Sequence, residues 1–264
     1  MKQFPLAINR IKIFLKKTYR LSRIDAKIIK YRTIRLGSPY GGWSIPQNLL
    51  NCDSICYSAG AGEDISFDLA LSQKFKCKVN IFDPTPRAFE HFNKLKNNIT
   101  IGLQMPINNS TSNFYCAKIE DIDRLFFFQF GIWNIDEEVK FYSPQNSQDV
   151  SHSIQNLQHT SKYFFGKVYR LSSIMKASNY NWIDLLKLDI EGCEYDVIDN
   201  IIFENIIIYC LCIEFHAEKN NYNKKNISKI NEYINKLISI GYALIDIDYS
   251  FNVTLLKTNL FAKN

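Results

Sequence analysis

The 264-residue chain carries 32 Lys/Arg against 26 Asp/Glu and is 46% apolar and 14% aromatic. That composition supports one large domain, or one domain with an appendage, and excludes a mostly disordered chain. Charge is uneven, since residues 1–40 hold eleven basic residues and one acid, Asp25; the body is mildly acidic, which argues against a basic domain gripping nucleic acid.

Residues 5–30 have helical spacing, with Leu6, Ile13 and Leu15 among basic residues. Such a helix packs on the body or lies on an anionic membrane surface. Residues 1–36 are therefore set apart as a basic helical arm, and 37–264 as the main domain. GSPYGGW (37–43) is a turn cluster. DSICYSA (53–59) is a short strand ending at glycine, 63–75 a helix, and CKVNIFDPTP (77–86) a strand stopped by two prolines. Pro86 opens the next helix. Residues 97–125 are polar and Asn-rich, with some strand character. FFFQFGIWN (126–134) reads as a buried strand, with EEVKFYSP (137–144) as its hairpin partner. A polar loop (147–161) precedes the strand WIDLLKLDI (182–190), the helix EGCEYDVIDNII (191–202) and the strand IIIYCLCIEFH (206–216). A charged helix then stops at Gly241, and residues 242–257 close the chain as an antiparallel pair.

Alternating helices and near-continuous apolar strands predict an α/β fold: a doubly wound, mainly parallel sheet with a C-terminal antiparallel hairpin. The seven cysteines are odd in number, lack any CxxC and lie partly in apolar runs. They read as buried, reduced thiols of a cytoplasmic protein, membrane-peripheral if the arm binds lipid. No apolar run reaches the roughly 18 residues of a membrane span, and no signal-peptide cleavage site follows the basic N-terminus.

In such a sheet ligands bind at the carboxyl ends of strands. The polar clusters fall there: Gly60-Ala-Gly62-Glu63-Asp64, Asp83, Asp189-Ile-Glu191-Gly192 and Glu214-Phe-His216. The glycine loop lacks the third glycine of a dinucleotide fingerprint, that place being Ile65, and lacks the GK[ST] of a P-loop. Glu63 and Asp64 would repel a diphosphate but suit a cationic ligand such as S-adenosylmethionine. The competing reading is a tight turn whose acids complement a helix N-terminus. Asp83 follows Gly62 by the spacing at which an acid accepts from ribose hydroxyls; otherwise it caps the turn before Pro84.

YSAGAGEDISFDLAL, FDPTPRAFEHF, IDLLKLDIEGCEYDVI and CIEFH together resemble the FkbM family of S-adenosylmethionine-dependent methyltransferases, and FGIWNIDEEVKFYSP resembles that family's third strand and hairpin. The resemblance runs over about residues 40–257. It implies a class I, Rossmann-like methyltransferase fold and methylation of hydroxyl oxygens, often on sugars or polyketide-type products. It implies that Gly60, Gly62, Glu63, Asp83, Gly131, Ile132 and Asp189 line the cofactor site, and that Asp189 and Glu191 lie near the transferred methyl group or the substrate. Many class I methyltransferases carry an acid two residues before the first loop glycine; here that residue is Ser58, so contact to the cofactor's amino group falls to Glu63 or Asp189.

A methyl transfer to oxygen needs a base for the hydroxyl proton. His216 is the first candidate, as a neutral imidazole near pH 7, and Asp189 the second. His152 and Glu214 are assigned to the acceptor, a hydroxylated small molecule or saccharide. A divalent metal on Asp189, Glu191, Glu214 and His216 is the less favoured variant. The competing functions are a nicotinamide-dependent oxidoreductase, which Asp83 permits, and a non-catalytic binding protein on the same fold.

Overall fold

Apolar residues at successive positions of the central strands put apolar side chains on both faces of the sheet, and the chain covers both. The computed structural model describes residues 18, 21–108, 110–146, 151–156, 158–216, 222–248 and 250–259. Strands β1 (Thr33–Leu36) and β2 (Trp43–Pro46) form an antiparallel pair. Then come β3 (Ile55–Ala59), α1 (Ser66–Phe75), β4 (Lys78–Phe82), α2 (Pro86–Thr100), the short α3 (Ile119–Ile122) and β5 (Leu125–Phe128). β6 (Gly131–Ile132), β7 (Glu137–Tyr142) and β8 (Tyr163–Tyr169) make a separate small sheet. The chain ends α4 (Leu171–Ala177), β9 (Ile183–Leu188), α5 (Glu194–Phe203), β10 (Ile208–Glu214), α6 (Lys224–Ser239), β11 (Tyr242–Ile247) and β12 (Asn252–Lys257).

The main sheet has the order β11-β12-β10-β9-β3-β4-β5. β10, β9, β3, β4 and β5 run parallel, while β12 is antiparallel to both β10 and β11. This is the α/β, doubly wound, mainly parallel sheet that the sequence predicts. The closing pair is antiparallel as expected, but the last strand inserts inside, leaving β11 at the edge. Strand order reverses between β3 and β9, which makes their carboxyl ends the switch point where such sheets bind ligands.

Two cores follow from the alternation. Tyr57, Leu186, Leu188, Leu211 and Ile213 pack with α4, α5 and α6 on one face. Cys56, Val79, Ile81, Leu185 and Cys210 pack with α1, α2 and β2 on the other. Cys56, Cys77, Cys193, Cys210 and Cys212 are buried, Cys52 and Cys116 exposed, and none is in a disulfide.

Three local expectations change. FFFQFGIWN is two strands, because the chain bends at Gln129–Phe130 and leaves the main sheet. EEVKFYSP pairs with β8 rather than with that run. Of the helix expected over 5–30, residues 1–17, 19 and 20 lie outside the described residues, and 24–32 form no helix. That stretch is stitched to the body instead: Ile29 N donates to Leu244 O at 2.8 Å, and Asp25 N to Asn231 Oδ1 at 3.1 Å. The β1–β2 pair straddles the boundary placed at 36/37. Among the described residues no helix is long and apolar enough to cross a membrane.

Candidate functional site

Register assembles the site. Ala59 stands opposite both Phe82 and Leu188, and Leu188 opposite Ile213. The residues that follow each strand end, or in β10 complete it, therefore arrive in one row: Gly60, Asp83, Asp189 and Glu214. They border a cleft of about 920 Å³, lined also by Gly62, Glu63, Gly131, Ile132, His152, Glu191 and His216. Each residue singled out in the sequence thus faces the same space.

The floor of the cleft requires glycine at one position. Gly60 has φ +82°, and a Cβ there would stand 1.7 Å from the Asp189 carbonyl oxygen. Asp189 N also donates to Ala59 O at 3.1 Å, so the loop after β3 and the turn after β9 are in backbone contact across the switch point. Glu191 holds φ +53° next to Gly192 at +100°, a left-handed turn that is uncommon for a residue with a side chain.

Asp83 is in the cleft wall, but its oxygens are engaged. Oδ2 accepts from Ala61 N (2.9 Å) and Gly62 N (3.0 Å), and Oδ1 from Thr85 N (2.8 Å) and Thr85 Oγ1 (2.6 Å). Four donors match the roughly four lone-pair sites of a carboxylate. Asp83 therefore anchors the glycine loop to the start of α2, and this arrangement leaves no lone pair for ribose hydroxyls. The two loop acids are likewise partnered. Glu63 receives Nε (3.3 Å) and Nη2 (2.9 Å) of Arg87. Asp64 accepts from Ser38 Oγ (2.6 Å), Ser66 N (3.0 Å) and Asn108 Nδ2 (2.8 Å). Arg87 balances Glu63, so the repulsion expected toward a diphosphate is weaker than the bare sequence implies.

Lys187, within β9, was not foreseen. Its buried ammonium contacts Asp189 Oδ2 at 3.1 Å and donates to the Gly60 carbonyl. Burial would depress its pKa, but Asp189 and Asp68 outweigh that and hold it above the usual lysine range. The sequence signal was a lysine set among the leucines of the LLKL segment of that strand. Ser58 is buried on the adjacent strand, and its Oγ lacks a hydrogen bond among the described residues.

His216 is 9% exposed. Nδ1 lies 2.8 Å from Oε1 of Glu194, a fully buried acid that also accepts from Ile190 N and Gly192 N. Nε2 points at Glu191 Oε2 (3.5 Å), Asp189 Oδ1 (3.9 Å) and Glu214 Oε1 (3.9 Å). Desolvation would lower the imidazole pKa, but Glu194 and Glu191 drive it well above the ordinary histidine value. The surrounding acids therefore favour its protonated form, against the neutral imidazole base expected near pH 7. Burial, with Asp189 adding to it, pushes the Glu214 carboxyl up to about 8; burial also raises Glu191. Glu194 carried no sequence signal, because an acid in the first turn of a helix is ordinary.

The cleft wall opposite belongs to the 37–43 turn. Ser38 Oγ bonds Asp64, and Tyr40 N and Gly41 N donate to the same hydroxyl, so the turn is tied to the glycine loop. Tyr40 lines the cleft there although 81% of the residue is exposed; partial desolvation where it faces the cleft, and then the charges of Asp189 and Glu214, raise its phenol pKa. His152 lines the cleft with its ring 5.3 Å from Phe164.

Among curated proteins none matches this sequence. Of the solved structures, the Methanococcus jannaschii fibrillarin pre-rRNA processing protein is similar at a TM-score of 0.39 and 10% identity, over 88% of this chain and 83% of that one. The family model described as the methyltransferase FkbM domain matches residues 59–243, from the last residue of β3 into β11. That span holds the glycine loop, Asp83, the DIEG turn and Glu214-Phe-His216, and the chain belongs to the FkbM methyltransferase family.

Proposed function

We propose that this methyltransferase uses S-adenosylmethionine and methylates a hydroxyl oxygen of a polyhydroxylated acceptor such as a sugar. The observation that carries the reading is the row Gly60, Asp189, Glu191 and Glu214 at the switch point: a glycine loop held against a turn whose carboxylates face one cleft. When bound, S-adenosylmethionine supplies an electrophilic methyl group on a sulfonium cation. The donor set fits that ligand, since carboxylates favour its positive sulfonium and ammonium groups. Asp189 Oδ1 faces the cleft while Oδ2 is held by Lys187, so Asp189 is the group for the ammonium. Glu63 receives two N–H bonds from Arg87 and keeps lone pairs vacant, so it takes the ribose hydroxyls in place of Asp83. Gly131 and Ile132 border the adenine side.

On the acceptor side the lining is Tyr40, His152, Glu214 and the β11–β12 turn with Asp248 and Ser250. An exposed aromatic ring beside carboxylates and hydroxyls is the chemistry that holds a sugar face and its hydroxyl groups. Glu191 is placed to take the acceptor's proton, because its turn aims it at the cleft and His216 supports it at 3.5 Å. His216, ringed by acids, orients the carboxylates.

Calorimetry with S-adenosylhomocysteine beside NADH tests the reading. Binding of the first and silence of the second is expected. Gly60→Ala should abolish it, and the milder Glu63→Gln should weaken it about tenfold, the loss of charge-assisted hydrogen bonds. Heat with NADH alone would favour an oxidoreductase; silence with both would favour a binding protein.

A further inference from the structure

We infer that the acceptor is a saccharide chain, and that its units beyond the methylated one lie on the outer face of the β7–β8 hairpin, against Tyr163, Phe165 and Lys140. This placement rests on the sugar-acceptor reading above and extends it to the size of the acceptor. Side chains two apart along a strand share a face, and so do residues directly opposite in an antiparallel pair. Register sets Lys140 opposite Phe165 and Tyr142 opposite Tyr163, so these four make one face. Phe141 and Phe164 stack on the other face, and Phe141 borders the cleft. The small sheet thus turns one aromatic face to the cleft and the other outward, where Tyr163 is 45% and Phe165 57% exposed.

The side chains of the outward face hold one another in place. Tyr163 and Phe165 meet edge-on with ring centres 5.5 Å apart, and Tyr142 meets Tyr163 at 5.9 Å. The Lys140 ammonium stands 4.3 Å from the centre of Tyr163 and 5.9 Å from that of Phe165. A pyranose ring carries C–H groups on its flat side and hydroxyls around its rim. Phe165 offers the first an apolar surface, and the ammonium beside it offers the second its N–H donors.

This face is continuous with the cleft. Ser151 and Glu191 line both the cleft and a small pocket of about 20 Å³ that Tyr142 and Gln158 also line. Hydrogen bonds join the same parts: Tyr142 N donates to Ser153 O at 2.9 Å, and Ser153 Oγ to Glu191 O at 2.6 Å. A chain whose reacting hydroxyl stands at Glu191 therefore leads past that pocket, which has room for one hydroxyl group, onto the rings. The connection between β7 and β8 favours a sugar over a lipid surface or a second copy of the protein. Residues 143–161 are rich in Gln, Asn, Ser and Thr, and Asp149 is their only charged residue. Amides and hydroxyls match the donors and acceptors of a sugar, whereas segments that enter a membrane surface carry apolar and basic residues. Lysine is depleted at the centre of protein interfaces, and here Lys140 stands among the rings.

The test is calorimetry of the full chain with glucose, mannose and N-acetylglucosamine beside maltohexaose, mannohexaose and chitohexaose. At least one hexaose should bind about tenfold tighter than its single sugar, the size of one ring contact. Phe165→Ala should remove that gain. Its ring is exposed, so the variant is expected to fold, and circular dichroism checks this. Phe203→Ala, an equally apolar change at the end of α5 where the ring is 84% exposed, should leave the gain intact. Equal affinity for single sugars and hexaoses, no binding of any hexaose, or a gain indifferent to Phe165→Ala would each overturn the placement. Sedimentation with phosphatidylserine vesicles that needs Phe165, without hexaose binding, would overturn it too and make this face a lipid contact. S-adenosylhomocysteine titrated into the same samples keeps the two readings apart. Hexaose binding that needs Phe165 stands even if that ligand is silent, and S-adenosylhomocysteine bound without any hexaose leaves a methyltransferase of smaller acceptors.

Discussion

A residue's identity was readable here more often than its task. Asp83 was found by its distance from Gly62, yet its oxygens hold the amides of Ala61 and Gly62 and the hydroxyl of Thr85. A one-dimensional spacing cannot say which donors reach a carboxylate first. His216 was found as a strand-end histidine, but its protonation depends on Glu194, Glu191 and Asp189, which come together only in the folded chain. Lys187 is the clearest case of a residue whose effect is decided by burial. Its ammonium is almost fully desolvated and is held by Asp189 and the Gly60 carbonyl. Lys187→Met should leave Asp189 and that carbonyl without their partner and cost about 3–5 kcal/mol, the range for breaking a buried pair. Urea unfolding measures this, and S-adenosylhomocysteine affinity should fall with it because both sides of the switch point loosen. A variant as stable as the parent would show that the ammonium is better solvated than its surroundings imply.

At the scale of elements, regular pieces formed where local chemistry agreed with the apolar pattern. Thr85 accepts from Ala88 N and Pro86 occupies the first turn, so α2 begins where the sequence placed it. Asn223 caps α6 by accepting from Asn226 N at 3.0 Å. That helix lies on the outer face, away from the cleft, and buries Ile227, Ile230, Ile234 and Leu237. Asn223→Ala should cost about 1 kcal/mol and leave cofactor affinity untouched, which thermal unfolding and calorimetry together read. The run FFFQFGIWN misled because its aromatic residues suit any strand. What ends β5 is the hydrogen bond from Phe130 N to Phe128 O at 2.9 Å, a local bend that hydrophobicity does not encode. β7 chose β8 over a sequence neighbour because six residue pairs from Glu137–Val168 to Tyr142–Tyr163 match in register.

For the whole molecule, charge and topology act separately. The catalytic sheet occupies the acidic body, while eleven of the basic residues fall within the first 40. We propose that this segment meets an anionic membrane surface, which would bring the enzyme to a membrane-borne acceptor. Replacing Arg10, Lys12, Lys16 and Lys17 with glutamine should abolish salt-sensitive sedimentation with phosphatidylserine vesicles without changing affinity for S-adenosylhomocysteine. Sedimentation that persists in the variant would sink the idea.

The sequence by itself determined the alternation of strands and helices, the strand ends and the family, because periodicity, turn residues and motifs such as IDLLKLDIEGCEYDVI are local properties of the chain. Only the tertiary structure decided which groups share a space and in what charge state. Parallel pairing of β3, β4, β9 and β10 set Gly60, Asp83, Asp189 and Glu214 in one row from four separate stretches of chain. Once there, each group's proton affinity and hydrogen-bonding capacity depended on neighbours far away in the chain, such as Gly60 beneath Asp189, and on the loss of water around them.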